Sequence, residues 1–77
     1  MSITIKAFGQ VAPVTGAELT LQEALPDTHS LNQWLQQQYP ALAGMKYALA
    51  VNKHLVNTNT VLQDGAVVAL LPPFSGG

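Results

Sequence analysis

The 77 residues are enough for one small domain, near the lower size limit for a chain that builds its own hydrophobic core. Hydrophobic residues make up 48% of the chain and charged residues only 9%, against about 25% charged residues in typical proteins, which predicts a largely neutral surface that contacts a partner. A net charge of −1 without arginine, the lack of cysteine, and the lack of any signal peptide or apolar run of ~20 residues indicate a soluble, cytoplasmic protein that binds no nucleic acid and no membrane.

The N-terminal third of the chain predicts a β-hairpin. Residues 3–8 alternate, so that Ile5 and its neighbours two positions away point to one face and Phe8 points to the other. Residues 9–17 contain proline and glycine and predict a turn. Residues 18–23 then predict a second strand, which pairs back onto the first.

The next segment predicts the main helix. Asp27 is the expected N-cap, since its carboxylate can accept hydrogen bonds from the free amides of the first turn. Pro40 ends the helix, because the residue before a proline avoids the α region, and residues 41–45 are expected to form a loop. Trp34 is expected to lie in the core. Helical spacing connects five residues, four of them apolar: Leu31, Trp34, Leu35, Gln38 and Tyr39.

The second half of the chain predicts a strand, a tight turn and a short strand. Residues 47–51 alternate in the way a half-buried strand does. Residues 52–53 predict the turn, and residues 54–56 predict the short strand that follows it. Residues 57–64 are expected to be irregular, with a turn at their end.

The last predicted strand and the proline pair behind it complete the fold prediction. Residues 66–71 are almost wholly apolar, which predicts a central strand covered on its faces. Pro72 and Pro73 end the sheet, since neither can donate a ladder hydrogen bond. The order of elements predicts an α+β protein of the β-grasp (ubiquitin-like) fold, with one main helix packed on one face of a mixed sheet. Residues 1–71 would form this domain and residues 72–77 an extended tail.

The tail ends in Gly76 and Gly77, and this pair suggests chemistry at a carboxyl group. The six residues from Pro72 reach roughly 20 Å when extended, at about 3.3–3.6 Å per residue. The two prolines stiffen the base of the tail, whereas the glycines let its tip enter a narrow channel. A free carboxylate is a poor acyl donor, so we expect ATP-dependent adenylation of Gly77 and its conversion by sulfide into a thiocarboxylate. The chain would then be a co-substrate and not a catalyst.

The remaining polar residues give no sign of a second chemistry. His29 and His54 are the only histidines, and neither has an acidic or nitrogen ligand at a useful spacing, so we predict no metal site. The serines have no His/Asp pattern typical of a hydrolase.

Several short motifs in this order resemble the small subunit of molybdopterin synthase, a ubiquitin-like sulfur carrier family. The resemblance covers essentially the whole chain, and its most specific element is Pro-Pro, two further residues and Gly-Gly. The motifs are Phe8-Gly9-Gln10-Val11, Ala50-Val51-Asn52, Leu55-Val56, Asp64-Gly65, and Leu71-Pro72-Pro73 before Gly76-Gly77.

The resemblance implies a mechanism and a set of partners. An adenylating enzyme related to ubiquitin activators would use ATP to activate Gly77, and a sulfur donor would form the thiocarboxylate. The tail would then enter the large subunit of the synthase, which supplies the catalytic side chains. Sulfur would pass to cyclic pyranopterin monophosphate and build the molybdopterin dithiolene, usually in a heterotetramer. The family implies no bound cofactor.

The resemblance also implies a docking surface on the outer face of the sheet. Its positions fall on Phe8, Leu55 and Leu71, while the tail residues Pro72, Pro73, Phe74 and Ser75 would contact the partner as well. The chain departs from the family at residues 12–14, where a basic and an acidic residue are often found, so individual interface contacts are open. Three alternatives remain: a sulfur carrier for thiamine thiazole or cysteine synthesis, a ubiquitin-like protein modifier, and an interaction module whose glycines have no chemical role.

Overall fold

The computed structural model describes residues 2–72, and the predicted tail beyond Pro72 lies outside that range. Five strands and two α-helices form the described part of the chain. The strands are β1 (Ile3–Ala7), β2 (Glu18–Leu21), β3 (Ala48–Val51), β4 (His54–Val56) and β5 (Ala66–Leu71). The helices are α1 (Ala12–Thr15) and α2 (Thr28–Gln38), with short 3₁₀ helices at Gly9–Val11 and Pro40–Gly44.

The strands form one mixed sheet in the order β2-β1-β5-β3-β4. β1 and β5 are parallel, while β1 and β2, β3 and β5, and β3 and β4 are antiparallel. The last strand of the chain therefore lies at the centre of the sheet, between the first strand and the third. The predicted mixed sheet, and the predicted central position of residues 66–71, are both confirmed.

The core lies between one face of this sheet and helix α2. Complete burial of a large apolar side chain in this core stabilises the fold by about 1.5–3 kcal/mol. Leu42 of the second 3₁₀ helix lies in the same core, so the predicted loop at residues 41–45 is in part a buried helical turn. The largest fully buried side chains are Ile3, Ile5, Val11, Leu31, Leu35, Leu42, Val68 and Leu70. Trp34 packs against this core without being fully buried.

The prediction of a turn at residues 9–17 is wrong. The segment forms the first 3₁₀ helix and α1, and its Val11 is almost completely buried. Pro13 lies in the first turn of α1, where its fixed φ suits a helix and its missing N–H costs nothing. Gly16, at a φ of +91°, ends the helix. The antiparallel pairing of β1 with β2 is nevertheless as predicted.

The prediction that β5 is covered on its faces is also wrong, because only one face is covered. Ala66, Val68 and Leu70 are buried, whereas Val67 is exposed and Leu71 is partly exposed. The apolar residues of the uncovered side lie on the face opposite α2. A strand that is apolar on both faces but covered on one leaves an apolar surface available to a partner.

The predicted turns at residues 52–53 and 64–65 and the predicted helix cap are confirmed. Asn52 and Lys53 have φ values of +50° and +73°, as the two-residue hairpin turn between β3 and β4 requires. Asn52 also holds the backbone of Val67, donating its N–H to the carbonyl at 2.8 Å and accepting from the N–H through Oδ1 at 3.0 Å. Asp27 caps α2, since its Oδ1 accepts from the N–H of Ser30 at 2.9 Å.

Candidate functional site

The strand register places a group of apolar residues on the outer face, the side of the sheet opposite α2. Thr4 and Lys6 of β1 lie beside Val67 and Ala69 of β5. Ala69 lies beside Ala50, which is paired in turn with Leu55 on the edge strand. Alternate residues of a strand point to opposite faces, so these side chains share one surface. Ala50 is buried, yet it does not belong to the core cluster, as expected for a small residue covered by outer-face neighbours.

The three residues predicted to dock a partner are brought together on this face. Phe8 and Leu55 are 47% and 65% exposed, so much of their apolar surface is left uncovered on this face. Phe8 follows β1 with extended backbone, and its N–H donates to the carbonyl of Leu70 at 3.0 Å, so it continues the alternation of the strand. Leu71 pairs with Ala48 on β3 and is partly exposed.

The tail begins beside the docking residues, and a glycine determines where it starts. Gly9 has a φ of +59°, and a Cβ at this position would lie 2.9 Å from Cγ of Pro72. Any side chain here would therefore be strained and would push Pro72 away. Pro72 also lines a depression of about 290 Å³ together with Gln10 and Lys46. Pro72, the first tail residue, thus has a fixed position next to Leu71, at the end of the outer face where β5 ends.

The remaining predicted site residues lie outside the described residues. They are Pro73, Phe74, Ser75, Gly76 and Gly77.

Sequence reasoning did not find every residue that shapes this surface. The alanines of β3 and β5 carry no chemical signal, and only the strand register shows that they are adjacent. The sequence pattern predicts that Val67 lies in a strand covered on both faces, whereas its side chain is exposed on this surface. Gly9 was read as part of a turn, although a glycine directly after an alternating strand could have suggested a close approach of another segment of backbone.

A second concave region lies between α2 and the strands β3 and β4. It is an open groove of about 580 Å³ lined by both polar and apolar side chains. The Tyr47 hydroxyl lies in this groove, where it donates a hydrogen bond to Asn32 Oδ1 and accepts one from Gln36 Nε2. These hydrogen bonds connect the helix to the sheet, so the polar groups have a structural role.

The start of α2 is held by a set of hydrogen bonds with the loop before β5. Asn59 accepts from the N–H of His29 at 2.9 Å and donates to Asp27 at 3.2 Å, while Thr28 and Thr60 bond through backbone and side chain. The pKa of Asp27 is lowered below its ordinary value, first by the backbone N–H of Ser30, then by the Ser30 hydroxyl and the Asn59 amide. The arrangement satisfies the helix terminus and leaves it no role as an anion site.

Neither histidine lies in an environment suited to metal. His29 is exposed in the first turn of α2 and His54 is exposed on β4. Within residues 2–72, no three His, Asp or Glu side chains come close enough together to hold a metal ion. In the same part of the chain, no helix has the length and apolar character needed to cross a membrane.

The sheet order, the single long helix beneath it and the central parallel pair of first and last strands define the β-grasp, or ubiquitin-like, class. A chain in the complex of subunits 1 and 2 of the molybdopterin-converting factor from Helicobacter pylori 26695 has a similar structure. The match has a TM-score of 0.72 and 32% identity, and it covers 100% of both chains.

Sequence comparison identifies the family. The ThiS family matches residues 5–77. The molybdopterin synthase sulfur carrier subunit of Escherichia coli K12 is 35% identical over 80 aligned positions, covering 97% of this chain and 99% of its own. Its counterpart in Mycobacterium tuberculosis H37Rv is 40% identical over 53 positions, which span 66% of this chain and 64% of that protein. The chain therefore belongs to the ThiS family of sulfur carriers.

Proposed function

We propose that the chain is the sulfur carrier subunit of a molybdopterin synthase. The observation that carries the proposal is the family match, which extends to Gly77 and therefore includes the two terminal glycines. The curated relatives bear the name of this subunit, and one of them aligns over nearly its full length. The apolar outer face and the fixed position of Pro72 support the proposal, because a carrier needs a docking surface next to its tail.

The proposed chemistry takes place at Gly77. Its carboxylate attacks the α-phosphorus of ATP on an activating enzyme, pyrophosphate leaves, and an acyl adenylate forms. Sulfide supplied by a sulfur donor then attacks the carbonyl carbon, the bond to AMP breaks, and AMP leaves with the electron pair. The sulfur of the resulting thiocarboxylate attacks a carbon of cyclic pyranopterin monophosphate and displaces an oxygen substituent from it, which forms a thioester. Water then cleaves the thioester at its carbonyl carbon, so that the sulfur stays on the pterin and the carboxylate of Gly77 is restored. Two such transfers complete the dithiolene.

The chain contributes no catalytic side chain to these steps. The catalytic groups belong to the large subunit and to the activating enzyme, and the glycines at positions 76 and 77 serve to fit narrow channels in both. We propose that these steps take place in the cytoplasm, where ATP is abundant. No resident cofactor is needed, since ATP is consumed by the activating enzyme.

The proposed partner is the large subunit of the synthase, docked on Phe8, Leu55 and Leu71 with residues 72–75 leading into its active site. The relative from H. pylori was solved as a complex of subunits 1 and 2, which supports a protein partner of this kind. The apolar character of the outer face supports it too, because exposed apolar patches on small domains mark interfaces with other proteins.

The first test is an intact-mass measurement after incubation with ATP, the activating enzyme and a sulfide source. We expect a mass gain equal to the replacement of one oxygen by sulfur, and we expect none from a chain that lacks Gly77. The activating enzyme must first be shown to be active, for instance by exchange of pyrophosphate into ATP. An active enzyme that leaves the chain unchanged would contradict the proposal.

The acceptor is tested in a second step. The charged chain, the large subunit and cyclic pyranopterin monophosphate should yield molybdopterin. A chain that is charged but transfers no sulfur here would belong to another pathway, such as thiamine thiazole or cysteine synthesis. Isopeptide adducts through Gly77 in cells would instead indicate a protein modifier.

A further inference from the structure

The open groove between α2 and the strands β3 and β4 runs along one side of the helix. Thr28, Asn32 and Gln36 line it at intervals of four residues, a spacing that brings helical side chains to the same side. From Thr28 to Gln36 the helix rises about 12 Å, at about 1.5 Å per residue. That length suits about four residues of extended chain, at about 3.3 Å each. Three partly buried apolar side chains line the groove as well: Met45, Leu49 and Val56.

The groove also carries a hydrogen-bond donor and an acceptor that Tyr47 holds in place. Asn32 Oδ1 accepts from the Tyr47 hydroxyl, which in turn accepts from Gln36 Nε2. The other polar atoms of these two amides are Asn32 Nδ2, a donor, and Gln36 Oε1, an acceptor. Within residues 2–72 neither atom has a hydrogen-bond partner, and neither is buried. A peptide backbone offers a partner to each, since every residue except proline has one N–H and one C=O.

The C-terminal tail begins beside this groove. Met45 and Lys46 line both the groove and the smaller depression at Pro72, so the two concave regions are contiguous. Residues 73–77 reach about 17 Å when extended, at about 3.3–3.6 Å per residue. This reach exceeds the roughly 12 Å of the groove, so the tail is long enough to turn from β5 and run along α2.

The chemistry of the tail matches that of the groove. Phe74 supplies a large apolar side chain for the apolar part of the lining. The chain ends in a carboxylate, and in the part of the chain that the structure describes the groove is lined by His29 and Lys46 but by no Asp or Glu. The nearby Asp27 carboxylate already accepts hydrogen bonds from the first turn of α2 and from the loop before β5. The groove therefore favours an extended segment with an apolar side chain and a negative charge.

We propose that residues 73–77 dock in this groove of their own chain when no partner holds them. Phe74 then packs against the apolar lining, and the terminal carboxylate lies toward the end of the groove at His29. Because the tail is tethered beside the groove, its effective concentration there is about millimolar, so weak contacts are enough to hold it. A partner that takes the tail must displace it first. Docking therefore raises the apparent Kd for that partner in inverse proportion to the fraction of chains whose tail is free.

Paramagnetic relaxation in the isolated chain tests the proposal. The chain has no cysteine, so a single introduced cysteine can carry a nitroxide label. Asn57→Cys places the label at the groove, and Ala17→Cys is the matched control. Both positions are exposed, and they adjoin β4 and β2, the strands that lie two places from β5 on either side. We expect the label at position 57 to broaden the amide signals of Gly76 and Gly77 severalfold more than the label at position 17.

Two tail variants show whether the contact is specific. Phe74→Ser removes the apolar side chain and should make the two labels equivalent, whereas Ser75→Ala should preserve the difference. A measurement without a label keeps the test valid if the nitroxide disturbs the groove. Deletion of residues 73–77 should shift the side-chain amide signals of Asn32 and Gln36, because both then lose the backbone of the tail.

The outcomes separate this inference from the proposed function. Equal broadening by the two labels would overturn docking, and so would a difference that Phe74→Ser leaves unchanged or unshifted amide signals after the deletion. Broadening that falls on dilution would place the tail in the groove of a second copy, which would also overturn docking within one chain. None of these measurements involves the large subunit or the activating enzyme. A negative result therefore leaves the proposed function intact, and that function fails only in the charging and transfer experiments.

Discussion

The two faces of the sheet carry similar apolar residues but differ in what covers them. On the core face Ile5, Val68 and Leu70 are at most 1% exposed, because α2 packs over them. On the outer face Phe8 and Leu55 are 47% and 65% exposed. The core face gains the free energy of its burial when the chain folds. The outer face can gain it only when a partner binds, so its apolar residues indicate an interaction and not a contribution to the stability of the isolated chain.

The difference is clearest within β5, where neighbouring residues take opposite roles. Leu70 is fully buried in the core, whereas Leu71 faces outward at the start of the tail. A substitution of the same type at these two positions should therefore produce two different losses.

The largest expected effect is that of Leu70→Asp. At 0.05–0.15 kcal/mol per residue the domain has a free energy of unfolding of roughly 4–12 kcal/mol. Loss of a buried leucine alone costs about 2–5 kcal/mol, and an unpaired buried carboxylate adds several more. We expect this variant to be unfolded at 25 °C by circular dichroism. Leu71→Asp should remain folded and bind the large subunit at least about tenfold more weakly. Unfolding of Leu71→Asp would show that Leu71 belongs to the core.

A second pair compares truncations on the two faces. Leu31→Ala removes a fully buried side chain of α2 and should lower the free energy of unfolding by about 2–5 kcal/mol. Leu55→Ala removes an exposed side chain and should change it by no more than about 0.5 kcal/mol. Urea denaturation measures both values. A large loss in Leu55→Ala would mean that the outer face stabilises the isolated domain.

A third pair concerns the point where the outer face meets the tail. Gly9→Ala introduces a Cβ too close to Pro72 at a positive φ, which should cost about 1–3 kcal/mol and shift the start of the tail. Sulfur transfer with the large subunit should therefore fall. The control is Gly44→Ala, where a Cβ meets no atom within 4 Å. Equal rates of sulfur transfer in the two variants would show that the position of Pro72 does not affect delivery of the tail.

The smallest expected effect is the pH dependence contributed by Asp27 at the start of α2. Its pKa in the folded chain lies below the ordinary value, so the ionised carboxylate stabilises the fold. That contribution is complete above the ordinary pKa of about 3.9 and is lost as pH falls through the lower, folded pKa. The difference in melting temperature between the parent chain and Asp27→Asn should shrink between pH 6 and pH 2. A difference in melting temperature that stays constant with pH would mean that the pKa of Asp27 is the same in the folded and the unfolded chain.

Local patterns determined much of what could be predicted. The alternation of β1, the cap at Asp27, the end of α2 before Pro40 and the turn at Asn52 all depend on residues close in sequence, and the structure has each of them. The order of elements predicted the β-grasp fold, and the short motifs that end in Gly76-Gly77 indicated the sulfur carrier family. These features follow from short-range geometry, which a sequence records directly.

Only the tertiary structure decided which apolar residues are covered. A wholly apolar β5 has no alternation from which to assign a buried face, and the number of layers packed on it depends on elements far away in sequence. The segment at residues 9–17 forms helices because burial of its valines in the core stabilises them. Its proline and glycines are typical of a turn, so the sequence pattern does not indicate this burial. The adjacency of Ala50 and Ala69 and the contact between Gly9 and Pro72 depend on strand register. The sequence by itself predicted most of the elements and a chemistry for the tail, because both depend on residues close together in the chain. Packing between distant segments determined which apolar surface stays exposed beside Pro72.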